Sequence, residues 1–254
     1  METITLIIAA FITSSISAVI GMGGGIVLLA IMALIIPEGF MVIAMHGMIQ
    51  LFSNGTRVYI YREHLDKSII LRFLKGALMG LMSSSIIILI IIKIYDFDSA
   101  NEIKVEFLKP IIGCFILWYL FLKNSNKNQK SSSFEFAGYI SGISSVFIGA
   151  SGPLIAPFFL NDRLSKQSIV ANKAAAQLIS HTGKIPIFVL FFKITYIDQY
   201  YILLPLILAV YVGTFFGKKL LTFIPEDSFR RIFKVCLTLI AFKLIIDSTI
   251  ITLF

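Results

Sequence analysis

Residues 20–27 read Ile-Gly-Met-Gly-Gly-Gly-Ile-Val, and they interrupt a stretch, 3–36, that contains no charged residue. As a single helix this stretch would extend about 50 Å at about 1.5 Å per residue, against about 30 Å of hydrocarbon in a bilayer. A run of glycines also breaks a helix. The sequence therefore predicts two helical arms joined by a glycine tip, and the broken backbone of such a re-entrant hairpin must be buried or line a cavity.

The composition is that of a membrane protein. Hydrophobic residues make up 57% of the 254 residues and charged residues only 14%, whereas a soluble domain keeps about a quarter of its residues charged. The net charge of +8 does not indicate nucleic-acid binding, because the basic residues lie between apolar segments, where they set orientation in a membrane. We therefore expect the lipid bilayer, and no nucleic acid, as a partner. Further uncharged stretches are 39–56, 76–92, 136–161 and 199–217.

The glycine tip has a counterpart in the second half of the chain, where residues 148–155 read Ile-Gly-Ala-Ser-Gly-Pro-Leu-Ile. Four matches in the same order predict two homologous repeats, 1–122 and 134–254, joined by a polar linker, 123–133. The matched stretches are 20–27 with 148–155, 50–57 with 177–184, 76–80 with 209–213, and 107–114 with 229–236.

The basic residues indicate how the repeats are oriented. If each half is a hairpin followed by three transmembrane helices, most Lys and Arg residues fall on one side of the membrane, whereas a simple eight-helix arrangement places many of them on the opposite side. Three spans per half predict two inverted-topology repeats in an all-α polytopic membrane protein, as in many secondary transporters. We expect the linker inside the cell and both termini outside. The predicted spans are 40–61, 68–93, 106–122, 168–192, 199–217 and 229–251.

Each glycine tip begins a short helix that offers free backbone amides. Unpaired N–H groups and the positive end of a helix dipole attract an anion, and inverted symmetry would bring the two tips face to face. The alternative is that the glycines only permit tight helix packing. The predicted substrate-binding residues at the tips are Gly23, Gly24, Gly25, Ser151, Gly152 and Pro153.

A second polar set lies at matched positions of two predicted spans. Spacings of three and four place the residues on one helix face, and polar groups inside a membrane often mark a pathway. Interhelical hydrogen bonding explains the amides and hydroxyls equally well. Arg57 is interpreted as an interfacial anchor, while Lys173 interrupts a span, and His46 or His181 could couple transport to protons. The predicted binding residues of this set are Gln50, Ser53, Asn54, Gln177, Ser180, His181 and Lys184.

The sequence contains no catalytic motif and few acids within its predicted spans. HExxH, GxSxG and Walker motifs are missing, so we expect no enzyme activity, no cofactor and no metal. A cation carrier would hold an acid at its core, and Asp247 is the nearest approximation. The shortage of acids beside several intramembrane bases favours a small anionic substrate.

At the two tips the sequence resembles the TauE/SafE family of membrane proteins. The resemblance rests on Gly21-Met-Gly-Gly-Gly25 after the Ser/Ala-rich stretch 14–18, and on Gly149-Ala-Ser-Gly-Pro153, and it covers essentially the whole chain. It implies a carrier of sulfite, thiosulfate, sulfoacetate or a related anion in a prokaryotic inner membrane. A proline often follows the first glycine cluster in this family, but 26–36 contains none, which leaves open whether the two hairpins contribute equally.

Two other functions stay open at this point. One is a channel or carrier for a carboxylate or neutral metabolite on the same fold. The other is a membrane scaffold that transports nothing and in which the glycines serve packing alone. The direction of transport, a coupling proton or ion and a homodimer are also left open by the residues.

Overall fold

The computed structural model describes residues 2–21, 23–36, 39–96, 108–122, 133–149, 151–160 and 164–251. These residues are almost entirely helical and contain no strand, which confirms the predicted all-α fold. The α-helices are α1 (Glu2–Ile20), α2 (Gly24–Ile35), α3 (Gly39–Ile60), α4 (Lys67–Tyr95), α5 (Leu108–Leu117), α6 (Ser133–Phe147), α7 (Gly152–Phe159), α8 (Lys166–Phe191), α9 (Tyr200–Thr222) and α10 (Glu226–Ile251).

Four described segments are long and apolar enough to cross a bilayer, namely α1, α4, α8 and the stretch Ile197–Thr222 that contains α9. One of them, α1, is the first arm of the first hairpin. With 19 residues, α1 extends about 28 Å at about 1.5 Å per residue, so this arm alone can span the hydrocarbon. The described part of the equivalent arm α6 has 15 residues.

Apolar side chains cover the outer faces of the helices. On α1, Ile4, Ile8, Ile12 and Ile16 follow one another at every fourth residue and are 43–62% exposed. Such a spacing places them in one stripe along the helix. A continuous apolar stripe is unfavourable in water, so we assign this surface to lipid.

The two halves of the chain make equivalent helix contacts with their roles exchanged. Helix α1 packs along α9, and α6 packs along α4. At Gly213 a side chain would meet the backbone of Phe11, and at Gly80 it would meet the backbone of Tyr139. The sequence repeat matches Gly80 with Gly213 and α1 with α6, so each contact is the counterpart of the other. The repeat boundaries and the inversion across the membrane stay predictions.

One end of the helix bundle gathers three connections between helices. The side chain of Asn172 donates a hydrogen bond to the His64 carbonyl (3.1 Å) and accepts one from the Asp66 amide (2.7 Å). The amide of Lys166 donates to the Glu226 carboxylate at 3.0 and 3.1 Å. The α3–α4, α7–α8 and α9–α10 connections therefore lie together.

This grouping agrees with the hairpin topology and disagrees with the eight-helix arrangement. Basic residues of the described connections share this end, where the Lys218 ammonium lies 6.0 Å from the ring of Tyr61 and the Arg230 guanidinium donates to the Leu164 carbonyl at 2.5 Å. Which side of the membrane the end faces stays a prediction. Residues 123–132 of the linker, the acidic loop 97–107 and Arg163 lie outside the described residues.

Candidate functional site

The two glycine tips have the same backbone turn. Helix α1 ends at Ile20 and is followed by Gly21 with φ of 78°, while α6 ends at Phe147 and is followed by Gly149 with φ of 80°. This left-handed conformation is one that glycine adopts without a steric penalty. The chain then re-enters a helix at Gly24 and at Gly152. The predicted helix breaks are thus confirmed at both tips.

A small cavity lies between the tips and is lined by both. The first tip contributes Gly23, Gly25 and Ile26, and the second contributes Gly152 and Pro153. The tips therefore face a shared space, as the inverted symmetry predicts. Side chains of α1, α3 and α8 complete the wall, namely Ser17, His46, Gln50, Lys173, Gln177 and His181.

The predicted binding residues divide into two groups. Those that line the cavity are Gly23, Gly25, Gly152, Pro153, Gln50, Gln177 and His181, whereas Gly24, Ser151, Ser53, Asn54, Ser180 and Lys184 lie outside its lining.

Gly24 serves close helix packing. A Cβ atom there would collide with the Thr13 carbonyl of α1 and lie 2.9 Å from the Cβ of Ser17. The packing interpretation of the glycines therefore holds at this residue. At Gly25 a Cβ atom would lie 3.4 Å from the Gln50 amide, so this neighbouring glycine faces the cavity wall.

Three of the remaining polar residues differ in their hydrogen bonds. The Ser180 hydroxyl pairs with that of Ser141 at 2.8 Å, which is the interhelical hydrogen bond expected as an alternative. The amide nitrogen of Asn54 donates to the Gln50 carbonyl at 2.7 Å. The Ser151 hydroxyl is buried without a hydrogen-bond partner in the described part of the chain.

Arg57 is not the interfacial anchor that the sequence suggested. The side chain is 1% exposed, and its Nη1 donates to the Ser17 hydroxyl at 2.9 Å and to the Ser17 carbonyl at 3.4 Å. Nη2 lies 3.4 Å from the hydroxyl of Ser53. The guanidinium therefore caps the carboxyl end of α1, where a positive charge is favourable. Sequence position alone hid this role because Ser17 is 40 residues away.

Lys184 caps the carboxyl end of α6, as Arg57 caps that of α1. Its ammonium, which is fully buried, lies 3.4 Å from each of three carbonyl oxygens, those of Ile43, Ser145 and Gly149. The repeat matches Lys184 with Arg57, and Ser145 with Ser17. Lys184 was predicted to bind the substrate, but its charge is directed to the end of α6.

Lys173 is the lysine that lines the cavity. Its ammonium donates to the Gly21 carbonyl at 2.6 Å and to Oε1 of Gln177 at 3.3 Å. The sequence marked Lys173 only as a charge that interrupts a span, and it was not among the predicted binding residues. Its match in the first half is His46, which lies beside the backbone of Gly25 and Gly149.

The comparisons with known proteins agree with this architecture. The family model described as sulfite exporter TauE/SafE matches residues 6–244. The chain belongs to the TauE/SafE family. No curated relative and no solved structure matches it. Membership, together with the apolar helices, establishes an integral membrane protein of a transporter family, and its members are not enzymes.

In this TauE/SafE chain the charges around the cavity are all positive. Arg57, Lys173 and Lys184 are each at most 1% exposed, and their hydrogen bonds go to carbonyls, hydroxyls and one amide oxygen. Among the described residues none of the three pairs with a carboxylate, and no cluster of potential metal ligands was found. The cavity therefore offers an electropositive environment without a negative partner from the residues that the structure describes.

Proposed function

We propose that this protein is a secondary transporter of a small anion, a sulfur oxyanion or organosulfonate, which binds between the glycine tips and moves by alternating access. Membership of the TauE/SafE family supports the transporter class and points to sulfite-like anions. The buried positive charges support the sign of the substrate's charge. The cavity that both tips share supports the proposed location of the binding site.

The single observation that carries the proposal is a buried lysine that faces the cavity without a carboxylate. Burying an unpaired charge costs several kcal/mol, and ionisable residues at membrane depth are retained mainly where transport uses them. Lys173 is 0% exposed and has only neutral oxygens as partners. An anion in the cavity would supply the missing negative charge.

The surrounding donors suit an anion with several oxygens. Gln50 from α3 and Gln177 from α8 both line the cavity, beside Gly25 and Gly152 respectively, and their side-chain amides can donate hydrogen bonds. The tip glycines let the anion approach backbone amides at the starts of α2 and α7. A sulfite or sulfonate group presents three oxygens and can accept from both halves at once. Such bridging would stabilise a closed state of the two repeats.

Counterflow in proteoliposomes tests the proposal. We expect labelled sulfite, thiosulfate or a C2 sulfonate to exchange across the membrane when the full chain is reconstituted. Protein-free liposomes should show no exchange. Exchange of a carboxylate or a neutral metabolite in preference to all three would favour the alternative carrier. The absence of any exchange, beside a working reconstitution control, would favour a scaffold and contradict the proposal.

A further inference from the structure

Two histidines meet at the cavity between the tips. The rings of His46 and His181 lie 6.1 Å apart between centroids and are nearly perpendicular, at 79°, and each residue is 1% exposed. Both nitrogens of His46 and Nδ1 of His181 make no hydrogen bond of normal geometry among the described residues, although His46 lies beside the backbone of Gly25 and Gly149. Buried polar groups are nearly always satisfied, so these nitrogens are available to a group that the chain does not supply.

The pair is not a consequence of the repeat. The matched position of His46 in the second half is Lys173, and that of His181 in the first half is Asn54. Neither match is a histidine, so the fold can be built with other residues at both positions. The two imidazoles are therefore a specific feature of this cavity.

The charged groups that face the pair come from α3 and α8 and are all cations. They are Arg57 on α3 and Lys173 and Lys184 on α8. Helices α1, α2, α6 and α7 add no charged side chain to the cavity wall in the described part of the chain, and Glu135 at the start of α6 is exposed. A proton on either imidazole is repelled by this cluster while the cavity is empty, and an anion in the cavity offsets that repulsion.

We propose that the His46–His181 pair takes up one proton when the anion enters, so that the protein carries its anion together with a proton. The inference rests on the proposed function, because the bound anion supplies the negative charge. The proton comes from water on the side of entry and adds to the lone pair of an unpartnered imidazole nitrogen. It returns to water on the other side as the anion leaves, and no bond to the anion forms or breaks.

The two binding events are linked thermodynamically. If the anion strengthens proton binding by some factor, the proton must strengthen anion binding by the same factor. Release of the anion into a less acidic compartment is then accompanied by release of the proton. A proton gradient therefore becomes a driving force for the anion.

Gradient-driven accumulation of a C2 sulfonate tests the proposal. Its charge stays the same between about pH 6 and about pH 8, the range in which histidine titrates, so any response to the gradient reports on the protein. We expect an inward gradient of about one pH unit to raise accumulation by the wild type up to about tenfold, because one proton accompanies each anion that enters. In the double variant His46→Gln, His181→Asn we expect this response to disappear, so that accumulation is the same with and without the gradient, whatever rate of exchange the variant retains.

The chain provides a matched control in its third histidine. His64 is exposed in the short helical turn after α3, and His64→Gln should accumulate the sulfonate as the wild type does. A wild type that exchanges the sulfonate but ignores the proton gradient would overturn the proposal, as would a double variant that still responds to the gradient. A wild type that exchanges no sulfur anion would instead contradict the proposed function.

Proton uptake in detergent gives a second readout without transport. Adding the sulfonate to weakly buffered wild-type protein should raise the external pH by the equivalent of about one proton per chain, and the double variant should give no change. If the double variant does not assemble, proton uptake is measured on the single variants His46→Gln and His181→Asn instead. Each should lower proton uptake at least about twofold, and two single variants at the wild-type level would overturn the proposal.

Discussion

The first tip is held by shorter hydrogen bonds than the second. At the end of α1, Arg57 donates to Ser17 at 2.9 Å and Lys173 donates to Gly21 at 2.6 Å. At the end of α6, the ammonium of Lys184 is 3.4 Å from each of its three carbonyl partners. Distances of 3.4 Å exceed the usual range for N–H···O hydrogen bonds.

The matched positions at the two tips thus carry different chemistry. The first tip has a guanidinium and an ammonium that are firmly bonded, and the second has a loosely bonded ammonium beside an imidazole. We infer that the first hairpin is fixed to the bundle, while the second hairpin moves more easily. The unequal tips give a structural reason why the two hairpins need not contribute equally to binding.

The largest effect is expected from Lys173→Gln, which removes the cavity's lysine charge while keeping a donor for the Gly21 carbonyl. Losing one partner of a buried charge pair costs about 2–5 kcal/mol, so the apparent affinity for a labelled sulfonate in counterflow should fall at least about thirtyfold. The apparent affinity of the Lys173→Arg variant should fall much less, because the charge is retained.

Lys219→Gln is the matched control for the loss of a cation, because Lys219 is exposed near the end of α9. It should exchange the sulfonate as the wild type does. Equal affinities for the Lys173→Gln variant and this control would mean that the first tip does not present the anion's charge partner.

The second prediction compares how much the two capping cations, Arg57 and Lys184, contribute to the stability of the fold. Arg57→Met removes the 2.9 Å hydrogen bond to the Ser17 hydroxyl, and charge-assisted bonds contribute about 1.5–3 kcal/mol. We expect a clearly lower apparent melting temperature in detergent. Lys184→Met removes three long contacts together with the cost of burying a charge, so its melting temperature should stay equal or rise. The reverse order would show that the second tip is the firmly held one.

The helix breaks were predictable because their causes are local. Glycine runs, the length of 3–36 and the repeat at 148–155 are properties of the sequence alone, and the structure places breaks at both. The same locality explains why the sequence singled out His181, Gln50 and Gln177, which line the cavity. They lie at repeated positions in segments that otherwise read as apolar.

The role of each buried cation depends on where it lies along its helix relative to the glycine tips. The spacing of residues in the sequence does not reveal this position. Lys173 and Lys184 are 11 residues apart on α8, which places them on nearly the same helix face but about 16 Å apart along the axis at about 1.5 Å per residue. Which of them meets the cavity is decided by where the tips end inside the bundle. Arg57 was misjudged for a related reason, because its partner Ser17 belongs to another helix.

The third prediction compares two matched glycines, Gly24, which packs against α1, and Gly152, which lines the cavity. A methyl group at Gly24 would collide with the Thr13 carbonyl, which is backbone and cannot easily move, whereas at Gly152 it would meet Nε2 of Gln177 at 2.6 Å, which is the end of a flexible side chain. Overpacking costs about 1–3 kcal/mol, and we expect this loss of stability for Gly24→Ala. Gly152→Ala should melt near the wild type but bind the sulfonate more weakly. Equal melting temperatures would contradict the assignment of Gly24 to packing.

The smallest expected difference concerns the matched serines at the ends of α1 and α6. The Ser17 hydroxyl accepts a hydrogen bond from Arg57 at 2.9 Å, whereas the Ser145 hydroxyl donates within its own helix to the Gly142 carbonyl at 3.0 Å. Ser17→Ala leaves a buried guanidinium with one partner fewer, which should cost about 1 kcal/mol, while Ser145→Ala should be nearly neutral. Thermal unfolding of both variants in the same detergent measures the difference. If Ser145→Ala proved the more costly, the proposed asymmetry between the tips would be contradicted.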